Sequence, residues 1–143
     1  MKKFTVGFMF DENLENVLLI HKNRPEWQMG KINGLGGKFE EGEESLDCIV
    51  REIKEESSLD TDKDKWVFMG NMYNDKLFLD IYAYVHPNLD SKKSLTDEEL
   101  EIFPVNELPK NIISNLSWLI PMAIDKIKNG DFEPFKIKVK EKY

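Results

Sequence analysis

The feature that most constrains this chain is a helix crowded with acids behind a glycine-rich segment. In GGKFEEGEESLDCIVREIKEESSL, residues 36–59, Glu52, Glu55 and Glu56 recur at i, i+3 and i+4. At about 100° per residue, with Glu52 at zero, Glu55 falls near 300° and Glu56 near 40°. Leu46, Ile49, Val50 and Ile53 occupy an adjoining arc centred near 110°, and Asp47 and Lys54 face a third side near 200–220°. The helix therefore offers one face to a core and a neighbouring face made of carboxylates. Like charges at these spacings cost a helix a few tenths of a kcal/mol per pair. A bound cation turns that repulsion into coordination, and hard oxygen ligands on a rigid helix suit Mg²⁺, with Mn²⁺ as a substitute. The alternative is a merely solvated acidic face.

The other features agree with a small globular protein. A length of 143 residues with a 41% apolar fraction suits one domain, residues 1–143, around one core. The net charge of −7 excludes nonspecific binding to duplex nucleic acid or to an anionic membrane, but not a nucleotide held through metal ions and a few cationic side chains. The single cysteine, Cys48, permits no intrachain disulfide. It suits a packing role and a cytoplasmic location. The first apolar run stops at Asp11, so no cleavable leader is expected, and no run reaches the length needed to span a bilayer.

Along the chain, residues 4–10 and 17–21 read as a hairpin, and residues 66–72 and 76–86 as two further strands. NGLGG, residues 33–37, marks a sharp turn or a close approach of backbone. Ser45 is the expected N-cap of a helix ending near Ser57. Residues 96–101 read as a turn or a short approach to a strand, and FPVNELP as a connection. A last helix is predicted over 114–128, with Leu116, Leu119, Ile120, Ala123, Ile124 and Ile127 on its core face and Gly130 as its stop. Phe135, Ile137 and Val139 alternate with lysines as a final edge strand. Strands interspersed with two helices predict an α+β fold in which helices cover a mixed sheet.

From Gly37 the chain reads Gly, five residues, Glu43, seven residues, Arg51-Glu52-Ile53, one residue, Glu55-Glu56, one residue, Ser58, Leu59. This pattern resembles the signature of the Nudix hydrolases at every specified position but one, where Ser58 stands for glycine. The resemblance implies an α/β/α sandwich with a central mixed β-sheet, and Mg²⁺-aided attack of water on a phosphoanhydride. It assigns metal binding and catalysis to Glu52, Glu55 and Glu56, completed by a backbone carbonyl around Gly36 or Gly37. It also makes Glu43 and Arg51 a structural ion pair. Glu98, in SLTDEELEIF, is the candidate for a further ligand or the general base, with Asp97 and Glu99 as competitors. Lys38 either touches phosphate or is an exposed lysine.

Length, INGLGGKFEEGE and the C-terminal segment are similar to the MutT-like branch, which cleaves nucleoside triphosphates to monophosphate and pyrophosphate. That branch includes the sanitisers of oxidised purines such as 8-oxo-dGTP. Asn33 matches an asparagine that contacts the base in animal-type members, and is otherwise a turn residue before Gly34. Trp27 or Trp118 could stack on a base, with the apolar neighbours of Trp118 favouring the core. Asn115 and Leu116 stand where animal-type members carry two aspartates, so base recognition is expected to differ. ADP-ribose hydrolases carry a proline after the box, and none occurs between Leu59 and Pro87. The upstream motif of coenzyme A hydrolases is missing. The alternatives are a Nudix hydrolase of another nucleoside diphosphate derivative and a non-catalytic nucleotide-binding module, in either case a monomer or homodimer. An RNA 5′-end substrate is disfavoured by the acidic charge.

Overall fold

A computed structural model describes residues 1–130 and 132–140. Eight strands form one mixed sheet: β1 (Lys2–Phe10), β2 (Asn16–His21), β3 (Ile32–Asn33), β4 (Leu35–Lys38), β5 (Val67–Tyr73), β6 (Leu77–Val85), β7 (Leu100–Pro104) and β8 (Phe135–Lys138). The strand order is β3-β2-β1-β6-β5-β8, with β4 also on β1 and β7 also on β2. The β1–β6 and β5–β8 pairs are parallel and the others antiparallel. The helices are α1 (Ser45–Ser57) and α2 (Leu116–Asn129). None among the described residues is long and apolar enough to cross a membrane.

Alternation along β1 separates two apolar layers. Val6, Phe8 and Phe10 pack with Leu116, Leu119, Ile120 and Ala123 of α2. Met9, with Leu18, Ile20 and Leu35, packs with Ile49 and Ile53 of α1. Because successive side chains of a strand leave opposite faces, the helices lie on opposite sides of the sheet, giving the expected α/β/α sandwich.

Several local expectations change. Residues 33–37 are not a turn but two strands; their glycines serve close approach. A Cβ on Gly36 would collide with the Thr5 carbonyl oxygen of β1. Asn33 is accordingly a strand residue, paired with Ile20. Ser45 does not cap α1: Glu44 is the N-cap, and the Ser45 hydroxyl donates to Asp80 Oδ2 at 2.6 Å. Residues 100–104 form β7 on β2, where a turn or a short approach to a strand was expected to run into a connection. The last helix begins at Leu116, two residues later than predicted. Trp118 is 39% exposed. It sits about 200° around the helix from Leu116, away from the buried face, so apolar neighbours in sequence did not make it a core residue.

Ser58 closes α1 in the left-handed region, φ 63°, with its N–H on the Lys54 carbonyl. A side chain there costs roughly 1 kcal/mol that glycine avoids. Ser58→Gly is therefore expected to raise the unfolding free energy by about 1 kcal/mol in urea titration, with an unchanged m-value.

Candidate active site

The start of α1 is braced by one guanidinium. Arg51 donates to both oxygens of Glu43, from Nε at 2.7 Å and Nη2 at 2.9 Å. Its Nη1 reaches Glu52 Oε1 at 3.0 Å and Glu55 Oε2 at 3.1 Å, and Nη2 also donates to the Lys38 carbonyl at 3.0 Å. The hydrogen bond from Arg51 holds the Glu43 carboxyl down at about 2, and the same bond raises the Arg51 guanidinium further above its ordinary value. Much of the repulsion on the acidic face is thus relieved by Arg51, next to Glu52 in the chain and one helical turn before Glu55.

Glu56 is treated differently. It is buried, and its Oε1 accepts the Gly36 N–H at 2.8 Å. Desolvation pushes its carboxyl up to about 8, against the pull of that N–H and of Lys22 and with help from Glu52 and Glu98. Burial likewise raises Glu52, whose carboxyl lies where a Cβ on Gly37 would be. Among the described residues, no three histidine, cysteine or acidic side chains already converge into a metal cage. The donor chemistry nevertheless fits a hard cation: Glu52 and Glu56 are desolvated carboxylates against the bare backbone of Gly36 and Gly37, and Glu55 is one turn from Glu52. Cys48 is buried behind this face, its thiol raised to about 11 by desolvation, which suits packing and not nucleophilic chemistry.

A cleft of about 1000 Å³ opens beside the glycines, between the sheet and the start of α2. Gly36, Gly37, Asn33 and Trp27 line it; Lys38 does not. Asn33 Oδ1 accepts the Gly34 N–H at 2.8 Å and its Nδ2 donates to Gln28 Oε1 at 3.1 Å. Trp27 stands at the rim, 46% exposed. Glu98 is 4% exposed and accepts from the Asn23 N–H at 2.6 Å and Lys22 Nζ at 3.1 Å. It thereby anchors the loop that carries Lys22 and Arg24 into the cleft lining. Asp97 pairs with Arg24 at 2.6 Å, and Glu99 lends only its carbonyl, to the His21 N–H.

Sequence reasoning missed Lys22, Arg24 and Gln28. Two cations in the loop after β2 were the available signal, but no spacing rule points such a loop at a site. Asn115 was weighed only as a departure from aspartate. It is buried at the back of the cleft, and its Nδ2 donates to Met72 Sδ at 3.7 Å. Its Oδ1 meets no donor among the described residues.

A family model for the NUDIX domain matches residues 2–121. The chain is similar in structure to a MutT protein described for Aliivibrio salmonicida and Vibrio cholerae, at TM-score 0.67 and 16% identity over 87% of this chain and 98% of that one. A MutT NUDIX hydrolase from Burkholderia pseudomallei superposes at TM-score 0.69 and 15% identity, over 85% and 96%. A MutT protein from Bacillus halodurans does so at 0.62 and 18%, over 85% and 80%. At these identities the likeness is one of fold.

Two outcomes are expected from the site's electrostatics. Glu56 has a folded value near 8 against 4.5 unfolded, so its contribution is fully present below about pH 4.5 and is lost as pH rises to 8. The metal-free protein should lose up to roughly 1.4 kcal/mol per pH unit in that window, and Mg²⁺ should raise the melting temperature more at pH 8 than at pH 6, as calorimetry can show. Glu43 is lowered, so its contribution disappears only as pH falls from about 4.5 to 2. Separately, Arg51→Lys keeps the charge but loses the fork on Glu43 and should cost about 2 kcal/mol in chemical denaturation.

Proposed function

Because the chain belongs to the Nudix family of phosphoanhydride hydrolases, we propose that it is a Mg²⁺-dependent nucleoside triphosphate pyrophosphohydrolase, releasing a nucleoside monophosphate and pyrophosphate. The observation that carries this reading is the unpartnered Asn115 Oδ1, a buried acceptor at the back of a cleft whose other wall is the glycine backbone beside Glu52 and Glu56. A buried acceptor without a donor costs about 1–3 kcal/mol, and the ring or exocyclic N–H of a nucleobase supplies that donor. Asn33 and Trp27 complete the base side, one as an amide and the other as a stacking ring.

Water adds to one phosphorus, the bridging P–O bond breaks with its electron pair on the leaving pyrophosphate, and the water's proton passes to a carboxylate. Glu52, Glu55 and Glu56, with a carbonyl of Gly36 or Gly37, would hold Mg²⁺. Once bound, that ion neutralises phosphate charge and lowers the pKa of its water. Lys22 and Arg24 bind phosphate oxygens, and Glu98 orients Lys22 toward them. With Lys22 drawn onto a phosphate, Glu98 is free to take the proton or join the cation. A nucleoside triphosphate whose base presents an N–H to the buried amide is the proposed substrate, with 8-oxo-dGTP among those to be tested. The cytoplasm, where nucleotide pools reside, is the proposed location.

The test is hydrolysis with Mg²⁺ across unmodified and oxidised nucleoside triphosphates, ADP-ribose and dinucleoside polyphosphates, with products resolved by chromatography. Monophosphate plus pyrophosphate from a triphosphate is expected. Glu56→Gln should lower kcat/KM at least about 100-fold, and Asn115→Leu should lower it about 10- to 100-fold for the preferred base. Cleavage of ADP-ribose or a dinucleotide alone would move the substrate assignment. Absence of metal-stimulated cleavage throughout would overturn it.

A further inference from the structure

Asn115 stands where an asparagine ordinarily caps a helix, at the N-cap of α2, yet its side chain makes no capping hydrogen bond. Capping uses an extended cap residue, whose side-chain oxygen then reaches the N–H of the second or third helical residue. Asn115 is already helical, at φ −70° and ψ −14°. The Ser117 and Trp118 N–H groups go instead to the backbone carbonyls of Ser114 and Asn115, at 3.3 and 3.2 Å. The helix start is complete without the amide, which is turned toward the sheet, where its Nδ2 lies 3.7 Å from Met72 Sδ.

What the amide meets there decides which of its ends is free. A thioether sulfur accepts hydrogen bonds and donates none. Turned over, the amide would set Oδ1 against that sulfur, acceptor on acceptor, and would leave Nδ2 as an unpartnered donor. The sulfur thus takes the NH₂ end and leaves Oδ1, the one buried side-chain nitrogen or oxygen without a partner among the described residues. Asn115 is buried and lines the cleft; Met72 is buried behind it and does not. Met72 is itself held on both sides. Its strand β5 lies between β6 and β8, and Met72 is in register with Leu79 of one and Ile137 of the other. Its side chain belongs to the apolar layer that includes Leu116 and Leu119 of α2.

We propose that Met72 is a positioning residue for base recognition: through its sulfur it orients Asn115 so that the cleft reads a base by an N–H donor and rejects one that presents a lone pair at the same place. A donor brought to Oδ1 satisfies a buried acceptor, whereas a lone pair brought there leaves two buried acceptors facing each other. The inference rests on a nucleobase occupying this cleft, as in the proposed function, but not on which bond of the substrate is cleaved.

The experiment compares two pairs of triphosphates whose members differ in whether one ring nitrogen carries a hydrogen: 8-oxo-dGTP with dGTP at N7, and inosine triphosphate with purine riboside triphosphate at N1. Affinities are measured by titration calorimetry without divalent cation, so that no turnover occurs. In at least one pair the N–H member should bind about tenfold tighter, the worth of one hydrogen bond. Met72→Leu conserves volume and removes the acceptor, so the amide is free to present either end. The ratio should then fall to within about threefold. The lone-pair member should bind as tightly as before or tighter, which also shows that the variant folds. In an Asn115→Leu background, with no amide to orient, Met72→Leu should leave the ratio unmoved. Equal affinities in the unaltered protein, or a ratio that survives Met72→Leu, would overturn the proposal. So would equal weakening of both members, the mark of a packing role alone, or an effect of Met72→Leu on the ratio that persists without the Asn115 amide. Triphosphate cleavage with Mg²⁺ by a protein lacking the pairwise preference leaves the proposed function standing and removes only the role of Met72. A preference that depends on Met72, in a protein that releases no pyrophosphate, does the reverse.

Discussion

The fork of Arg51 on Glu43 is the contact on which the site's geometry depends. It ties the loop after β4 to α1, and a third N–H donor group on the same guanidinium reaches Glu52 and Glu55. A planar group with fixed donors can satisfy several acids from one place, which a lysine ammonium cannot do with the same directionality. Once the loop is tied, β4 lies against β1 and carries the Gly36 N–H onto Glu56. The carboxylate face and the glycine backbone are therefore set against each other by an ion pair between the loop and the helix.

That arrangement divides three similar acids into two electrostatic kinds. Glu52 and Glu55 share the charge of Arg51, and Glu55 is exposed to water. Glu56 gets one N–H and is otherwise desolvated. A buried carboxylate with so little compensation is costly in the free protein and gains most from a cation. The opposite face of the sheet is organised by different forces. There the alternation of Val6, Phe8 and Phe10 against α2 builds an apolar wall, and the cleft forms where that wall meets the glycines. Thr5 and Val6, adjacent in β1, thus serve the two layers in turn, and Gly36 and Gly37 let the Thr5 carbonyl and the Glu52 carboxyl come close to the backbone of β4.

Legibility in the sequence followed the range of each interaction. The carboxylate face of α1 was readable because 3.6-residue periodicity is local, and the Glu43–Arg51 spacing was readable because a long fixed pattern carries it. The core face of α2 was readable for the first reason. Trp118 was misplaced when sequence neighbours stood in for helical phase. β7 was hidden because residues 100–104 gain their ladder from β2, some eighty positions away, and their own alternation is weak. Glu98 stood out among three acids by position alone; the reason it is buried, its contacts with Asn23 and Lys22, spans about 75 residues. Asn115 looked like a missing aspartate, and its significance appears only when its oxygen is found buried without a donor.

By itself the sequence determined which acids share a helix face, which residues form the core face of α2, where glycine admits close approach and that the chain carries a net charge of −7. Those properties depend on neighbours within a turn of helix, a pleat of strand or the sum of charges. Tertiary structure alone decided that Glu56 is desolvated, that Glu98 is buried against Lys22 and that Lys22 and Arg24 reach the cleft. Those depend on which strands lie side by side and on how much water their packing excludes, and neither is a property of any short stretch of chain.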